Sequence, residues 1–178
     1  MAECKNIMVY VETAEGNPVK VGLEMLSPAK KLADKVTAVV IGGGVADAAK
    51  EVAKAGADQV ICVDSEDYKE FNLDAYAQVL VELVKEENPE AVFVGGTQDG
   101  KDIAPVIAAK CNTGCASDVL DIKAEDGEVI YTCPLYGGTV LEDVKIKTTP
   151  QIATLRSGAF QKVEDPTEGS CSQRSKSS

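Results

Sequence analysis

The residues best suited to binding chemistry lie in one glycine-rich turn, Gly95 to Lys101, which follows a short apolar run. Glycines let the backbone approach a ligand closely, and free N–H groups at the start of a helix can bind phosphate. In the same turn, the Thr97 hydroxyl and the Lys101 ammonium could both meet a phosphate. The candidate cofactor-binding residues are therefore Gly95, Thr97, Gly100 and Lys101.

A structural role accounts for this turn equally well. Thr97 or Asp99 could cap the helix that follows, and Pro105 would then lie in the early part of that helix. The residue types do not choose between capping and ligand binding, and the two roles are compatible.

Two other glycine turns are weaker candidates. The Gly42–Gly44 turn lacks the G-x-G-x-x-G spacing of a dinucleotide site and the Gly-Lys-Ser/Thr of a P-loop, so a tight strand-to-helix turn is the better interpretation. Tyr136 precedes Gly137 and Gly138 and could reach a ligand or an interface, although packing combined with turn chemistry is the commoner role of such a tyrosine.

Catalytic chemistry is not indicated. The chain has no histidine, its acidic residues are scattered mainly over predicted helix faces, and no nucleophile stands beside a base. Among the six cysteines only Cys111 and Cys115 form a spaced pair, which argues against a zinc site. We therefore expect no catalytic residues, no metal and no enzyme activity, and the cysteines are expected to be structural thiols in a reducing compartment.

Charge and hydropathy exclude two classes of partner. The net charge of −11 argues against nucleic acid, because binding to the phosphate backbone depends on Lys and Arg. No apolar run approaches the roughly 20 residues needed to cross a bilayer, and Met1 is not followed by a signal-peptide pattern. We expect a soluble, cytoplasmic protein without membrane insertion.

Alternating strands and helices must position the glycine turns. Buried strands are predicted at Ile7–Val11, Val36–Ile41, Gln59–Val63 and Ala91–Val94. Helices are predicted from Asn17-Pro18 to Leu32 with a kink or an interruption at Ser27-Pro28, and at Val45–Ala55, Leu73–Lys85 and Lys101–Lys110. This order predicts an α/β, Rossmann-like fold, with a mostly parallel sheet covered by helices on both faces.

The pattern changes after Gly114. Asp126-Gly127 predicts a hairpin between strands at Val119–Lys123 and Val129–Cys133. Further strands are predicted at Thr139–Lys147 and Pro150–Arg156. The fold should therefore carry an added antiparallel hairpin region near the C-terminus.

The last residues lack any periodicity. Residues 163–178 are polar and rich in Ser, Glu, Lys and Arg. We predict an α/β domain over residues 1–162 and a disordered tail over residues 163–178.

Four blocks of sequence resemble one family, the alpha subunit of electron transfer flavoproteins. The blocks occur in that family's order and resemble its N-terminal domain over about residues 5–162. They are Thr97-Gln-Asp-Gly-Lys-Asp-Ile-Ala-Pro105, Gly114-Cys-Ala-Ser-Asp118, Pro134-Leu-Tyr-Gly-Gly138 and Pro150-Gln-Ile-Ala-Thr-Leu-Arg-Ser-Gly-Ala-Phe160.

The resemblance implies a scaffold domain that pairs with the homologous fold of a beta subunit. Together the two form a base for a separate flavin domain. The resulting heterodimer carries electrons between flavoenzymes, notably acyl-CoA dehydrogenases, and in some anaerobes it divides the electrons of NADH between two acceptors.

The resemblance also implies where the cofactors belong. In this family FAD is held chiefly by a C-terminal domain of the alpha subunit, and this chain ends at Ser178 before any such domain. The second nucleotide, AMP or FAD, belongs mostly to the beta subunit. FAD is therefore expected in the heterodimer, and this chain need not bind any flavin alone.

Other interpretations stay open at this point. The chain could be one domain of a longer protein, a truncated gene product or a stand-alone paralogue. A small adenine-nucleotide-binding module of related fold, using both glycine turns as phosphate sites, is the alternative function. An enzyme of the nucleotide-hydrolase fold class is weaker still, because no acid, base or nucleophile set is visible.

Overall fold

The computed structural model describes residues 4–174. The helices are α1 (Lys20–Leu32), α2 (Ala46–Lys54), α3 (Leu73–Glu87) and α4 (Gln98–Lys110). The strands are β1 (Cys4–Tyr10), β2 (Thr13–Ala14), β3 (Asn17–Pro18), β4 (Ala33–Gly42), β5 (Gln59–Asp64), β6 (Ala91–Gly95), β7 (Cys115–Val119), β8 (Asp121–Glu125), β9 (Glu128–Leu135), β10 (Val140–Val144), β11 (Gln151–Leu155) and β12 (Ser170–Gln173).

Seven strands form one sheet in the order β12-β5-β4-β1-β6-β11-β7, and every neighbouring pair is parallel. Helices connect the strands from β1 to β7, as parallel pairing requires. The last strand of the predicted C-terminal region, β11, enters this sheet between β6 and β7. The predicted α/β, Rossmann-like fold is therefore confirmed.

The sheet separates two apolar cores. Ile7, Val9 and Val11 point to the face covered by α1 and α2, whereas Met8 and Tyr10 point to the face covered by α3 and α4. This alternation follows from the period of two in a strand, and a strand buried on both faces is apolar throughout.

The added antiparallel region is a three-stranded sheet in the order β10-β9-β8. Asp126 and Gly127 turn the chain between β8 and β9 with φ of 52° and 77°, as the Asp-Gly pair predicts. Tyr131 of β9 packs its ring against Phe93 of β6 at a centroid distance of 6.4 Å. This contact attaches the small sheet to the face that carries α1 and α2.

The first helix begins later than predicted, and it is not interrupted at Pro28. Asn17 and Pro18 pair with β2 as strand β3, so the helix begins at Lys20 with Val19 as its N-cap. Pro28 lies inside α1, which runs on to Leu32 without a break. Pro28 lies near the end of α1 and is buried, so its lack of an N–H removes one backbone hydrogen bond of the helix while its side chain stays packed.

The prediction of a disordered tail does not hold for Ser170–Gln173, which form strand β12 beside β5. All four residues are exposed, so no apolar period could reveal the strand. Its backbone pairs with the edge of the sheet, and the Thr167 hydroxyl donates to the Ala53 carbonyl oxygen at 2.7 Å. Residues 175–178 of the predicted tail lie outside the described residues.

Within residues 4–174, none of the helices is both long and apolar enough to cross a membrane.

Candidate functional site

The sheet has one position where the direction of its connections reverses. From β1 the chain moves outward through β4 to β5, and then returns to β6 on the opposite side of β1. The carboxyl ends of β1 and β6 therefore border a crevice, which is where open parallel sheets bind ligands. The residues that follow these strands, Glu12 and Thr97, meet there.

The cavity at this position, here called the switch-point pocket, has a volume of about 300 Å³. Strand ends, the β2–β3 turn and the start of α4 enclose it. Its lining residues are Tyr10, Glu12, Thr13, Glu15, Gly16, Ile41, Gly42, Gly43, Val45, Tyr68, Lys69, Phe71, Tyr76 and Asp99.

A short chain of hydrogen bonds joins the pocket to α4. The Thr97 hydroxyl donates to Glu12 Oε1 at 2.5 Å, and the Thr97 hydroxyl oxygen accepts from the Gly100 backbone N–H at 3.0 Å. Thr97 is therefore the N-cap of α4 and also the partner of a largely buried carboxylate.

Two of the four predicted cofactor residues are glycines at close contacts, Gly95 with α1 and Gly100 with the backbone of β6. A Cβ on Gly95 would lie 2.7 Å from Val21 Cγ1, and one on Gly100 would lie 1.8 Å from the Gly95 carbonyl oxygen. Lys101 is exposed on α4, and none of the four lines the switch-point pocket. Their assignment to a cofactor stays a prediction, and the capping role of Thr97 is observed.

The backbone N–H groups that follow the Gly42–Gly44 turn already bind a carboxylate of the protein itself. Asp64, at the end of β5, accepts hydrogen bonds from the Gly44 N–H at 2.7 Å and the Val45 N–H at 3.2 Å. A carboxylate therefore stands where the start of α2 would bind a phosphate.

Residues 7–176 match the model of the electron transfer flavoprotein domain. The chain belongs to the electron transfer flavoprotein domain family. This match covers nearly all of the α/β domain, including the antiparallel sheet and the edge strand β12.

Several curated relatives of this chain are named as electron-transfer subunits. The chain is 37% identical to the electron transfer flavoprotein subunit alpha of Clostridium acetobutylicum, over 91% of this chain and 50% of that protein. It is 36% identical to protein FixB of Clostridium saccharobutylicum (92% and 51%) and 32% identical to the acryloyl-CoA reductase electron transfer subunit beta of Anaerotignum propionicum (90% and 52%). The chain spans about half the length of these relatives.

The pocket of this flavoprotein domain does not fit the phosphates of a flavin or adenine nucleotide. Asp64 occupies the amides at α2, Thr97 occupies the Gly100 amide at α4, and Glu12 lies beneath that helix end. Glu15 and Asp99 add further carboxylates to the pocket wall. A diphosphate would be repelled by these carboxylates, and the backbone N–H groups expected to bind it already donate to Asp64 and Thr97. The geometry therefore does not favour the adenine-nucleotide alternative.

Replacing Asp64 by alanine is expected to lower the free energy of unfolding by about 1 to 2 kcal/mol, because two backbone N–H groups at α2 lose a charged acceptor. Urea denaturation measures this change. Asp34→Ala, at an exposed position of β4, should stay within about 0.5 kcal/mol of the parent. Equal stability of the two variants would contradict the capping role of Asp64.

Burial raises the pKa of the Glu12 carboxyl, and nearby Asp99 adds to the rise, although the hydrogen bond from Thr97 opposes it. The folded state therefore keeps a proton on Glu12 at pH values where the unfolded chain has lost it. As a result, stability falls as the pH rises from 4.5 through the folded pKa.

The Glu12→Gln variant should lack this loss of stability. Its free energy of unfolding should rise relative to the parent between a pH below 4.5 and neutral pH, because the amide carries no charge to desolvate. Urea denaturation across this range tests the sign. A difference between variant and parent that does not change with pH would show that burial of the Glu12 charge has no effect on stability.

Several pocket residues were not among the sequence candidates. Glu12 and Asp99 are carboxylates of the wall, and Tyr10 and Tyr76 contribute aromatic surface. The available signal was that Glu12 comes directly after the first buried strand, at the end where parallel sheets bind ligands. The two tyrosines could not be predicted as pocket residues, because their positions in a strand and a helix have the pattern of core residues.

Proposed function

We propose that this domain is the N-terminal scaffold domain of an electron transfer flavoprotein alpha subunit. It pairs with a beta subunit, and in the complete heterodimer FAD is carried chiefly by a C-terminal domain of the alpha subunit. Acyl-CoA dehydrogenase-type flavoenzymes are the proposed exchange partners of that complex. The family match over residues 7–176 and the relatives that are electron-transfer subunits support this proposal.

In this proposal the domain performs no chemistry of its own. The described residues 4–174 include no cluster of metal-ligating side chains, and no serine or cysteine is among the described residues that line the switch-point pocket. The role of the domain is to bind and position its partner subunit, whereas the flavin of the heterodimer accepts and donates the electrons.

One surface of the small sheet supports pairing with another protein. Leu135, Tyr136, Val140 and Leu141, here called the apolar hairpin tip, are the large hydrophobic residues that the described structure leaves exposed. The Tyr136 side chain is 82% exposed, and that of Leu141 is 59% exposed. The packing role that sequence analysis favoured for Tyr136 does not hold within this chain, and the interface role is the better supported of the two.

The backbone holds this tip in a defined shape. Tyr136, Gly137 and Gly138 all have positive φ, at 51°, 68° and 93°, and the Thr139 hydroxyl donates to the Tyr136 carbonyl oxygen at 2.8 Å. A tyrosine in the left-handed region is uncommon. An ordered, exposed aromatic flanked by aliphatic residues is typical of the centre of a protein interface.

Aspartate substitutions at the apolar hairpin tip are expected to weaken pairing strongly. Leu141→Asp and Tyr136→Asp should each weaken binding to an electron transfer flavoprotein beta subunit about thirtyfold or more, because each places a charge in the interface core. Sedimentation velocity or gel filtration of the mixed subunits measures the complex.

Asn112→Asp is the matched control, because it adds the same charge at an exposed site after α4. It should leave the complex intact. Two separate peaks for the unmodified chain and a beta subunit at micromolar concentrations would overturn the proposed function. If both tip variants still form the complex, the interface must lie on another surface of the domain.

A further inference from the structure

The switch-point pocket has features that a pairing scaffold does not need. Its volume of about 300 Å³ is at the small end for ligand sites. One wall is aromatic: the Tyr76 ring meets the Tyr68 ring at 5.7 Å and the Phe71 ring at 5.0 Å, both edge-to-face. The Tyr76 hydroxyl donates to the Tyr68 carbonyl oxygen, which holds this wall in place.

Tyr10 gives a second indication of a ligand, which does not depend on the charges of the pocket. Its side chain is only 2% exposed and lines the pocket from the end of β1. Among residues 4–174 the Tyr10 hydroxyl has no hydrogen-bond partner. Every fully buried side-chain nitrogen or oxygen of the described residues has a partner, so the Tyr10 hydroxyl is one that the cavity leaves accessible, and it is available to a molecule there.

The charge balance of the pocket is negative. Glu12, Glu15 and Asp99 contribute three carboxylates to the lining, and Lys69 is the one cation there. The Lys69 ammonium lies 4.0 Å from the Glu66 carboxylate. Only Oε1 of Glu12 has a hydrogen-bond partner within the described chain, so its second oxygen can accept from a ligand.

These observations select one class of ligand. A phosphate or carboxylate would be repelled, because Asp64 and Thr97 already occupy the helix amides near the pocket. We propose that the switch-point pocket binds a small organic ammonium ion. Glu12 and Asp99 provide the opposite charge, the Tyr10 hydroxyl accepts a hydrogen bond from the ammonium, and the aromatic wall contacts the carbon skeleton.

Titration calorimetry with the 178-residue chain tests this proposal with 2-phenylethylamine as the probe. The amine should bind, and the neutral isostere 2-phenylethanol should bind about tenfold more weakly or not at all. Glu12→Gln should weaken amine binding about tenfold, because it removes the counter-charge while keeping the shape. Tyr10→Phe removes a single hydroxyl and should weaken binding about threefold.

Glu51→Gln, at an exposed position of α2, is the matched control and should leave amine binding unchanged. Tyr10→Phe keeps the test decisive if Glu12→Gln does not fold. Absence of amine binding at millimolar concentration, or equal binding by all variants, would overturn the proposal. Binding of AMP in preference to the amine would overturn it in favour of a nucleotide site. The outcome is independent of whether the chain pairs with a beta subunit.

Discussion

Replacing Gly100 by alanine is expected to lower the free energy of unfolding by about 3 kcal/mol or more. The new Cβ would lie 1.8 Å from the Gly95 carbonyl oxygen and 3.1 Å from Glu12 Oε1. Backbone cannot move aside as a flexible side chain can, so the start of α4 would have to separate from β6. The hydrogen bond from Gly100 to Thr97 would be lost with it.

The expected loss of stability in Gly100→Ala is opposite to the gain that helix propensity alone would give. Alanine is favoured over glycine inside a helix by about 1 kcal/mol, so an exposed helical glycine would gain stability from the same change. Urea denaturation therefore separates the two effects clearly. Gly137→Ala is a useful comparison, since its Cβ would meet no atom within 4 Å and its cost would come from its φ of 68° alone. A Gly100→Ala variant as stable as the parent would mean that α4 does not pack on β6 as described.

Tyr131→Ala is expected to destabilise the protein by about 3 to 5 kcal/mol, the cost of removing a large ring from a core. The side chain is fully buried between the two sheets, where it meets Phe93. Its hydroxyl donates to Gln151 Oε1 at 2.8 Å, and Gln151 Nε2 donates to the Ile146 carbonyl oxygen at 3.2 Å. The residue therefore joins β6, β9 and β11 at one point.

Tyr131→Phe provides the matched control, because it keeps the ring and removes one hydrogen bond worth about 1 kcal/mol. Comparing the urea midpoints of both variants separates ring packing from hydrogen bonding. Tyr131→Ala should also weaken pairing with a beta subunit, since the small sheet carries the apolar hairpin tip. A small loss of stability in the alanine variant would show that the antiparallel sheet does not depend on this contact.

The local elements were largely predictable from sequence. The strands β1, β4, β5 and β6 coincide with continuous apolar runs, and Asp126-Gly127 forms the expected turn. The edge strand β12 was not predictable, because its exposed residues are held by backbone pairing to β5. The predicted end of α1 at Leu32 was correct, whereas the possible interruption at Pro28 did not occur, because the helix buries this proline.

The candidate site was only half predictable. Sequence analysis offered Thr97 or Asp99 as the cap of the helix, and the structure shows that Thr97 is the cap. Its bond to Glu12 joins residues 85 positions apart in the chain, and the Asp64 carboxylate reaches Gly44 across 20 positions. No local pattern specifies such pairs, since they depend on which strands become neighbours.

Sequence by itself determined the alternation of strands and helices, the hairpin turn and the family, because each rests on residues close together in the chain. Tertiary structure decided that β11 lies between β6 and β7, that the Asp64 carboxylate caps the Gly42–Gly44 turn, and that Tyr10 opens into a pocket with Glu12 and Asp99. The physical reason is the separation along the chain over which each effect acts. Periodicity, capping and turn chemistry act within a few residues, whereas strand order and the charge of a cavity arise only when distant segments are brought together.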